Sequence, residues 1–212
     1  MNSNKSRQEI LERINAIDNS ARSSEYNTAF DNEEIYKPIL PDAISCFKAE
    51  LEAISGRCVI CNTQEELVAN LCKLMEEKGF SELYCRDKSI VSFLTTHNIK
   101  TTNSDMDFEL MQAGITRCEY LVARTGSVIV TSAGDSGRQM NVFPPVHIVV
   151  ATSDQLLNYP EDALGAVANK YAGALPSTIT TITGPSRTAD IEKTLVLGAH
   201  GPKELIVFLS IV

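Results

Sequence analysis

Between Asp42 and Thr102 the chain switches repeatedly between two incompatible hydrophobic periods, and this alternation narrows the possible folds more than any other feature of the sequence. Ile44, Phe47, Leu51 and Ile54 recur at helical spacing behind Pro41 and Asp42, which start a helix, and Gly56 is placed to end it. The run Arg57-Cys58-Val59-Ile60-Cys61 that follows is short, apolar and β-branched at its centre, which is the texture of a strand. Thr63 and Glu66 then stand at the spacing of a capping box, Leu67, Leu71, Leu74 and Met75 form one stripe, and Gly79 supplies the stop. Residues 82–85 read as the next strand. Strands separated by helix-length segments imply a parallel sheet, and such a sheet must be covered on both faces.

The rest of the chain keeps this alternation with one interruption. Residues 88–111 read as two short helices around a strand near 99–102, with Asp105 as a cap for the second helix. Residues 126–131 and 146–151 are strong strands about a turn-rich loop at Gly134-Asp135-Ser136-Gly137, which predicts an antiparallel insertion beside the parallel part. A helix over 153–168, a Thr- and Ile-rich strand over 177–183, a short helix over 189–195 and a final strand over 205–211 complete the pattern. That last segment is too apolar to be a solvated tail. At the other end, Ser6 and Glu9 have capping-box spacing ahead of Ile10, Leu11, Ile14 and Ile17, whereas residues 18–37 are polar and aperiodic. The expected organisation is an N-terminal helix and flexible linker over 1–37, followed by one α/β domain over 38–212.

Charge excludes several functions. The net charge of −8, with no Lys/Arg cluster, argues against a nucleic-acid or anionic-membrane surface, because both require a basic footprint. The opening residues lack an apolar leader and the longest apolar run, 205–212, is too short to cross a bilayer, so a cytoplasmic protein without membrane insertion is expected. The six cysteines are scattered through helix- and strand-like segments and suit reduced thiols. Cys58 and Cys61 have a C-x-x-C spacing, but in a strand residues three apart point to opposite faces, so zinc or redox pairing is not expected. The three histidines have no carboxylate at metal spacing, and the predicted metal content is none. His147, among apolar strand neighbours, reads as a satisfied structural histidine, and His97 as a solvated one.

Chemistry concentrates in two turns. Gly184, Pro185, Ser186, Arg187 and Thr188 lie between a predicted strand and a predicted helix, a place where backbone N–H groups and a helix N-terminus favour an anion that Arg187 can clamp. The plainer alternative is a Gly-Pro turn with Arg187 and Glu192 in a surface ion pair. His200, between Gly198 and Gly201, is sterically accessible, and histidine is the side chain suited to acid–base work near neutral pH, which makes His200 and Glu192 the candidates for proton transfer, although His200 can equally cap a helix end. No G-x-G-x-x-G after a strand, no P-loop and no iron–sulfur cluster motif is present, so no cofactor is expected on this chain.

These turns also carry a resemblance. Residues 184–192, Leu195-Val196-Leu197-Gly198 and His200-Gly201-Pro202-Lys203-Glu204-Leu205, with Gly114-Ile115-Thr116, Thr125-Gly126-Ser127 and Pro144-Pro145-Val146-His147-Ile148 upstream, resemble the LUD-domain family of the lactate-utilisation C type, over roughly 42–212. The resemblance implies a three-layer, Rossmann-like mixed sheet of the NagB/RpiA/CoA transferase-like type; the N-terminal helical appendage read above lies outside it and is left unexplained by it. It adds Thr125, Gly126 and Ser127 to the ligand-binding candidates. It further implies an accessory or ligand-binding role in bacterial lactate oxidation to pyruvate, beside lactate-utilisation partners that carry iron–sulfur clusters, with a small anionic metabolite as ligand and a homo-oligomer left open. An independent enzyme on a phosphorylated or nucleotide-like metabolite, and a regulatory or structural module, are the alternatives. Arg124 and Ile206 depart from the family pattern, which usually has an acidic residue and a histidine there.

Overall fold

The computed structural model describes residues 3–16, 38–104, 108–188 and 196–211. The chain forms two compact units, Met1–Pro38 and Ile39–Val212. In the first, helix α1 covers Ser3–Asn15. It begins before Ser6, so that serine lies inside the helix and does not cap it, contrary to the capping-box spacing.

The second unit is built on a six-stranded sheet of β1 (Arg57–Cys61), β2 (Leu83–Tyr84), β3 (Thr101–Thr102), β4 (Ala113–Arg117), β7 (Val146–Thr152) and β12 (Glu204–Ser210). The strand order is β1-β12-β7-β4-β2-β3 and every pairing is parallel. The antiparallel insertion expected of 126–131 and 146–151 does not form as such, because β7 joins the parallel sheet between β12 and β4; β6 (Ser127–Thr131) instead pairs antiparallel with β5 (Tyr120–Val122) and β9 (Ile179–Ile182) in a separate four-stranded sheet of order β8-β5-β6-β9, with β8 (Leu156–Leu157) at its edge. A two-stranded ribbon, β10 (Arg187–Thr188) with β11 (Val196–Leu197), completes the strands.

Alternation along β12 shows how the layers are glued. Ile206 and Phe208 face one core with Leu67, Leu71 and Leu74 of helix α3 (Gln64–Lys78) and Ile90 and Leu94 of helix α4 (Lys88–Thr96). Leu205, Val207 and Leu209 face the other, with Phe47 and Leu51 of helix α2 (Ala43–Ala53) and Leu121, Val128 and Val130 of the second sheet. Each fully buried side chain of this kind contributes about 2–3 kcal/mol. Helix α5 (Pro160–Lys170) packs Ala163 and Val167 against Val122 and Ile129, on the far side of the small sheet. The final strand is therefore the second one in from the sheet edge and buried on both faces, as its composition requires.

Local chemistry sets the helix limits. Asp42 caps α2 by accepting from Ser45 N at 2.9 Å, and Thr63 caps α3 by accepting from Glu66 N at 3.2 Å. The Glu66 carboxylate reaches Asn62 N, one residue before the cap, at 2.7 Å. Gly79 takes the left-handed conformation that ends α3. At the end of α2 it is Ser55 that has positive φ, and Gly56 follows because a Cβ there would lie 2.3 Å from Leu51 Cδ1.

Three expected elements differ. Residues 153–155 form a 3-10 turn and 156–157 join the small sheet, so the helix predicted from 153 starts only at Pro160, whose missing N–H costs nothing at a first helical position. Strand 177–183 shortens to β9 and pairs antiparallel with β6, outside the parallel sheet. Residues 108–110 form a turn where a second helix was expected, and the Asp105 cap and the 189–195 helix lie outside the described residues. No described helix is long and apolar enough to cross a membrane.

Candidate functional site

In a parallel sheet the strands end on one edge and the following helices begin there, so side chains at the carboxyl ends converge on a crevice. Here that edge carries Arg117 at the end of β4, Thr152 at the end of β7 and Ser210 at the end of β12. Arg117 Nε donates to Asp87 Oδ2 at 2.7 Å. Asp87 is buried and also caps α4, accepting from Ser89 N at 2.9 Å and Ile90 N at 3.2 Å. Two residues beyond β4, Glu119 Oε1 accepts from the Thr131 and Tyr171 hydroxyls, both at 2.7 Å, and Oε2 from Lys170 Nζ at 2.7 Å. Burial pushes the Glu119 carboxyl upward, but the hydrogen bonds from Lys170, Thr131 and Tyr171 outweigh it and hold the group below the ordinary range. The same contact with Glu119 raises Lys170, and burial followed by that carboxylate raises the Tyr171 phenol. Gln155 braces the turn from behind, donating to the Cys118 carbonyl at 2.7 Å and accepting from Thr152 N at 2.9 Å.

This constellation divides two hollows. A cavity of about 690 Å³ lies on the α3 and α4 side, and a smaller one of about 220 Å³ lies toward Thr131 and Tyr171. Arg117, Glu119, Gln155 and Lys170 line both. Apolar walls from Leu67, Leu71 and Phe93 face this charged group across the larger cavity. The arrangement can hold a negatively charged head beside Arg117 while burying an apolar body, which is the usual make-up of a small-molecule site.

The residues singled out by sequence lie elsewhere. Thr125, Gly126 and Ser127 lead into β6 beside the end of α2, where a Cβ on Gly126 would come within 2.3 Å of Leu51 N. Ser127 Oγ bonds to Thr125 Oγ1 at 2.7 Å and to Thr183 Oγ1 at 2.8 Å. Buried Gly184 and Pro185 follow, with Gly184 at φ 82° against the Ile54 carbonyl. Arg187 donates to that same Ile54 carbonyl and, at 2.9 Å, to Ser55 Oγ. Ser186 N donates to Pro202 O at 2.8 Å, which sets the 198–202 turn against it. The chain thus does bring 125–127, 184–188 and 198–202 together, at the amino edge of the main sheet. Their polar groups, however, mostly bind one another and the end of α2. Arg187 and Thr188 are strand residues, not the start of a helix. His200 is exposed, and Glu192 lies outside the described residues.

The other titratable candidates are structural. His147 is fully buried and shares a 2.8 Å hydrogen bond between Nε2 and Thr116 Oγ1, but its Nδ1 has no partner among the described residues, so it is only half satisfied. Burial holds it neutral, with its pKa lowered to about 4. His97, expected to be solvated, is half-buried at the end of α4 with Nδ1 2.8 Å from Phe93 O. Cys58 and Cys61 face opposite cores, as their strand spacing predicted, and burial pushes the Cys58 thiol up to about 12. No His, Cys, Asp or Glu group suited to a metal ion occurs among the described residues. Of the departures from the family pattern, Arg124 pairs with Glu50 at 2.8 Å and Ile206 is a core residue of β12.

Arg117, Glu119, Gln155, Lys170 and Tyr171 were missed because each is a lone polar residue and their spacing matches no motif. One signal was available: Arg117 and Glu119 directly follow the apolar run that ends at Thr116, and charged residues just past a parallel strand point into the crevice of such a sheet.

Comparison with known proteins agrees with this architecture. A crystal structure of a DUF162 family protein from Deinococcus radiodurans superposes with a TM-score of 0.61, covering 79% of this chain and 96% of that one; at 19% identity this likeness concerns the fold. An uncharacterized protein of Neisseria meningitidis is 30% identical over 121 residues, which is 57% of this chain and 51% of the relative. The lactate utilization protein C of Bacillus subtilis is 35% identical over 96 residues, 44% of this chain and 40% of its own length. Lactate utilization protein C 1 of Bacillus mycoides is 29% identical over 157 residues, 66% of this chain and 67% of that protein. The chain spans about half, or less, of the length of the first two relatives. The LUD domain model matches residues 44–210, nearly all of the second unit, and the chain belongs to the LUD-domain family.

Proposed function

We propose that this protein is a cytoplasmic component of lactate utilisation that binds a small anionic metabolite and works beside partner proteins carrying iron–sulfur clusters. The observation that carries the binding role is the carboxyl-edge cleft, where Arg117 and Lys170 stand at the mouth of a cavity with apolar walls. The pathway is supported by the relatives named lactate utilization protein C. Oxidising lactate to pyruvate removes two electrons, which side chains alone cannot accept. The sequence offers no dinucleotide fingerprint or cluster motif, and its one C-x-x-C pair is split across a strand, so we assign the electron path to the partners. We place the anion in the cleft in preference to Arg187, one of whose terminal nitrogens is already bonded to the Ile54 carbonyl and the Ser55 hydroxyl at the end of α2.

The test is reconstitution of lactate oxidation from purified cluster-bearing partners with and without this chain. Omission is expected to lower the rate by about tenfold or more, the scale on which positioning effects act. An unchanged rate, or lactate oxidation by the isolated chain with an artificial acceptor, overturns the proposal.

A further inference from the structure

Three regions hold unassigned features: the stack of half-buried Phe108 on exposed Phe143, the half-satisfied His147, and the carboxyl-edge cleft. The cleft carries an inference furthest, because its charges, its unused donors and its size each limit what can enter. Arg117 and Lys170 bring two positive charges; Asp87 and Glu119 match them, and Asp154 on the same wall adds a negative one. A multiply charged phosphate ester would add several negative charges to a lining that already carries one in excess, and is disfavoured more strongly than a single charge. A single negative charge is accommodated, because Arg117 uses only Nε on Asp87 and its terminal amino groups take no partner among the described residues. A guanidinium edge with free N–H donors matches a carboxylate in two parallel hydrogen bonds.

A second observation is independent of that charge balance. Ser210 is 7% exposed, lines the larger cavity, and its hydroxyl takes no hydrogen-bond partner among the described residues. A hydroxyl that opens on the cavity at the end of β12 with no protein partner is placed to bond a ligand or water held there. Ser89 lines the same wall. Size supplies the third limit. About 690 Å³ lies well inside the range of pockets that bury drug-sized ligands and exceeds what a three-carbon acid fills, and the surplus is bounded by Leu67, Leu71 and Phe93.

We infer that the cleft at the carboxyl edge of the parallel sheet binds a monocarboxylate carrying an apolar arm, with its carboxylate on Arg117, a polar substituent toward Ser210, and the arm along Leu71 and Phe93. This deepens the anion-binding reading above and rests on it. Lys170, pinned by Glu119, marks the mouth between the two hollows and orients the head through charge.

The experiment is calorimetric titration of the full chain with lactate, phenyllactate and inorganic phosphate, without any partner protein. Phenyllactate is expected to bind about tenfold or more tightly than lactate, from burial of its ring, and phosphate to be the weakest of the three. R117Q is expected to weaken phenyllactate by about tenfold or more, the worth of a charge-assisted pair. F93A, which leaves the Arg117–Asp87 pair in place, is expected to narrow the gap between phenyllactate and lactate, and it decides the matter if R117Q does not fold. Equal affinity for lactate and phenyllactate, phosphate binding as tightly as either acid, or no binding of any carboxylate overturns the inference. Lactate oxidation indifferent to this chain, with carboxylate binding intact, would sink only the pathway assignment.

Discussion

The two edges of the central sheet are built on opposite plans. At the amino edge, 125–127, 184–188 and 198–202 crowd around the end of α2, and glycines there stand where backbone already fills the space: a Cβ on Gly126 would lie 2.3 Å from Leu51 N, and one on Gly184 2.8 Å from Ile54 O. Polar groups at this edge are mostly closed on each other. At the carboxyl edge the backbone leaves a cavity of about 690 Å³, lined by side chains from β4, α5 and β12, among which the Arg117 terminal amino groups take no partner among the described residues. The edge richest in recognisable motif is thus the one with least room for a ligand. A glycine can recur in a family signature because two chain segments must touch, with no ligand involved.

The hardest blow to this contrast, or its firmest support, comes from Gly126→Ala. The new methyl meets the backbone of α2, which cannot swing aside as a side chain would, and residue 126 also has φ 60°. Overpacking and left-handed strain together predict a loss of roughly 3–5 kcal/mol, read as a lower urea midpoint with an unchanged slope. Molecules that remain folded should bind carboxylates normally. A well-folded variant with binding abolished would show that the amino edge is a site after all.

Acid separates the edges more gently. His147, near the start of β7, has its folded pKa lowered to about 4 against an ordinary 6.5. Protonation therefore favours the unfolded chain: the fold carries no penalty above pH 6.5 and loses stability as pH falls from 6.5 toward 4, by roughly 3 kcal/mol in all. Glu119, at the carboxyl edge, is held below its ordinary 4.5, so its contribution is complete above that pH and is lost only as pH falls through the lowered value. H147Q should flatten the stability profile between pH 6.5 and 4 and leave the lower limb, whereas E119Q should do the reverse. Coincident changes in both variants would mean that the two edges do not titrate independently.

How much of this was legible depended on whether the cause was local. Asp42 and Thr63 cap helices and Gly79 ends one because capping is decided within a few residues, and Cys58 and Cys61 diverge because a strand's period is two. The region after β7 misled because Pro160 can sit inside a helical pattern or start one, and only the pairing of 156–157 with β5 decides for a start. The cleft was the least legible part. Glu119 meets Thr131, Lys170 and Tyr171 only after two sheets and a helix have been assembled, and no spacing between 119 and 171 announces it.

The finest discrimination lies in Arg187. Its sequence context, a Gly-Pro turn after a strand, suits an anion clamp, yet its guanidinium is bonded to the Ile54 carbonyl and the Ser55 hydroxyl. The Ile54 carbonyl belongs to the residue that caps the end of α2, at the negative pole of the helix, so a cation there satisfies an orphan acceptor. On this account R187A removes a solvent-exposed brace and lowers stability by about 1 kcal/mol, while carboxylate affinity stays within error of the parent in the same calorimetric assay. If R187A weakens binding as much as R117Q does, the ligand is held from the amino edge, and the division of labour between the two ends of the sheet fails at its most exposed point.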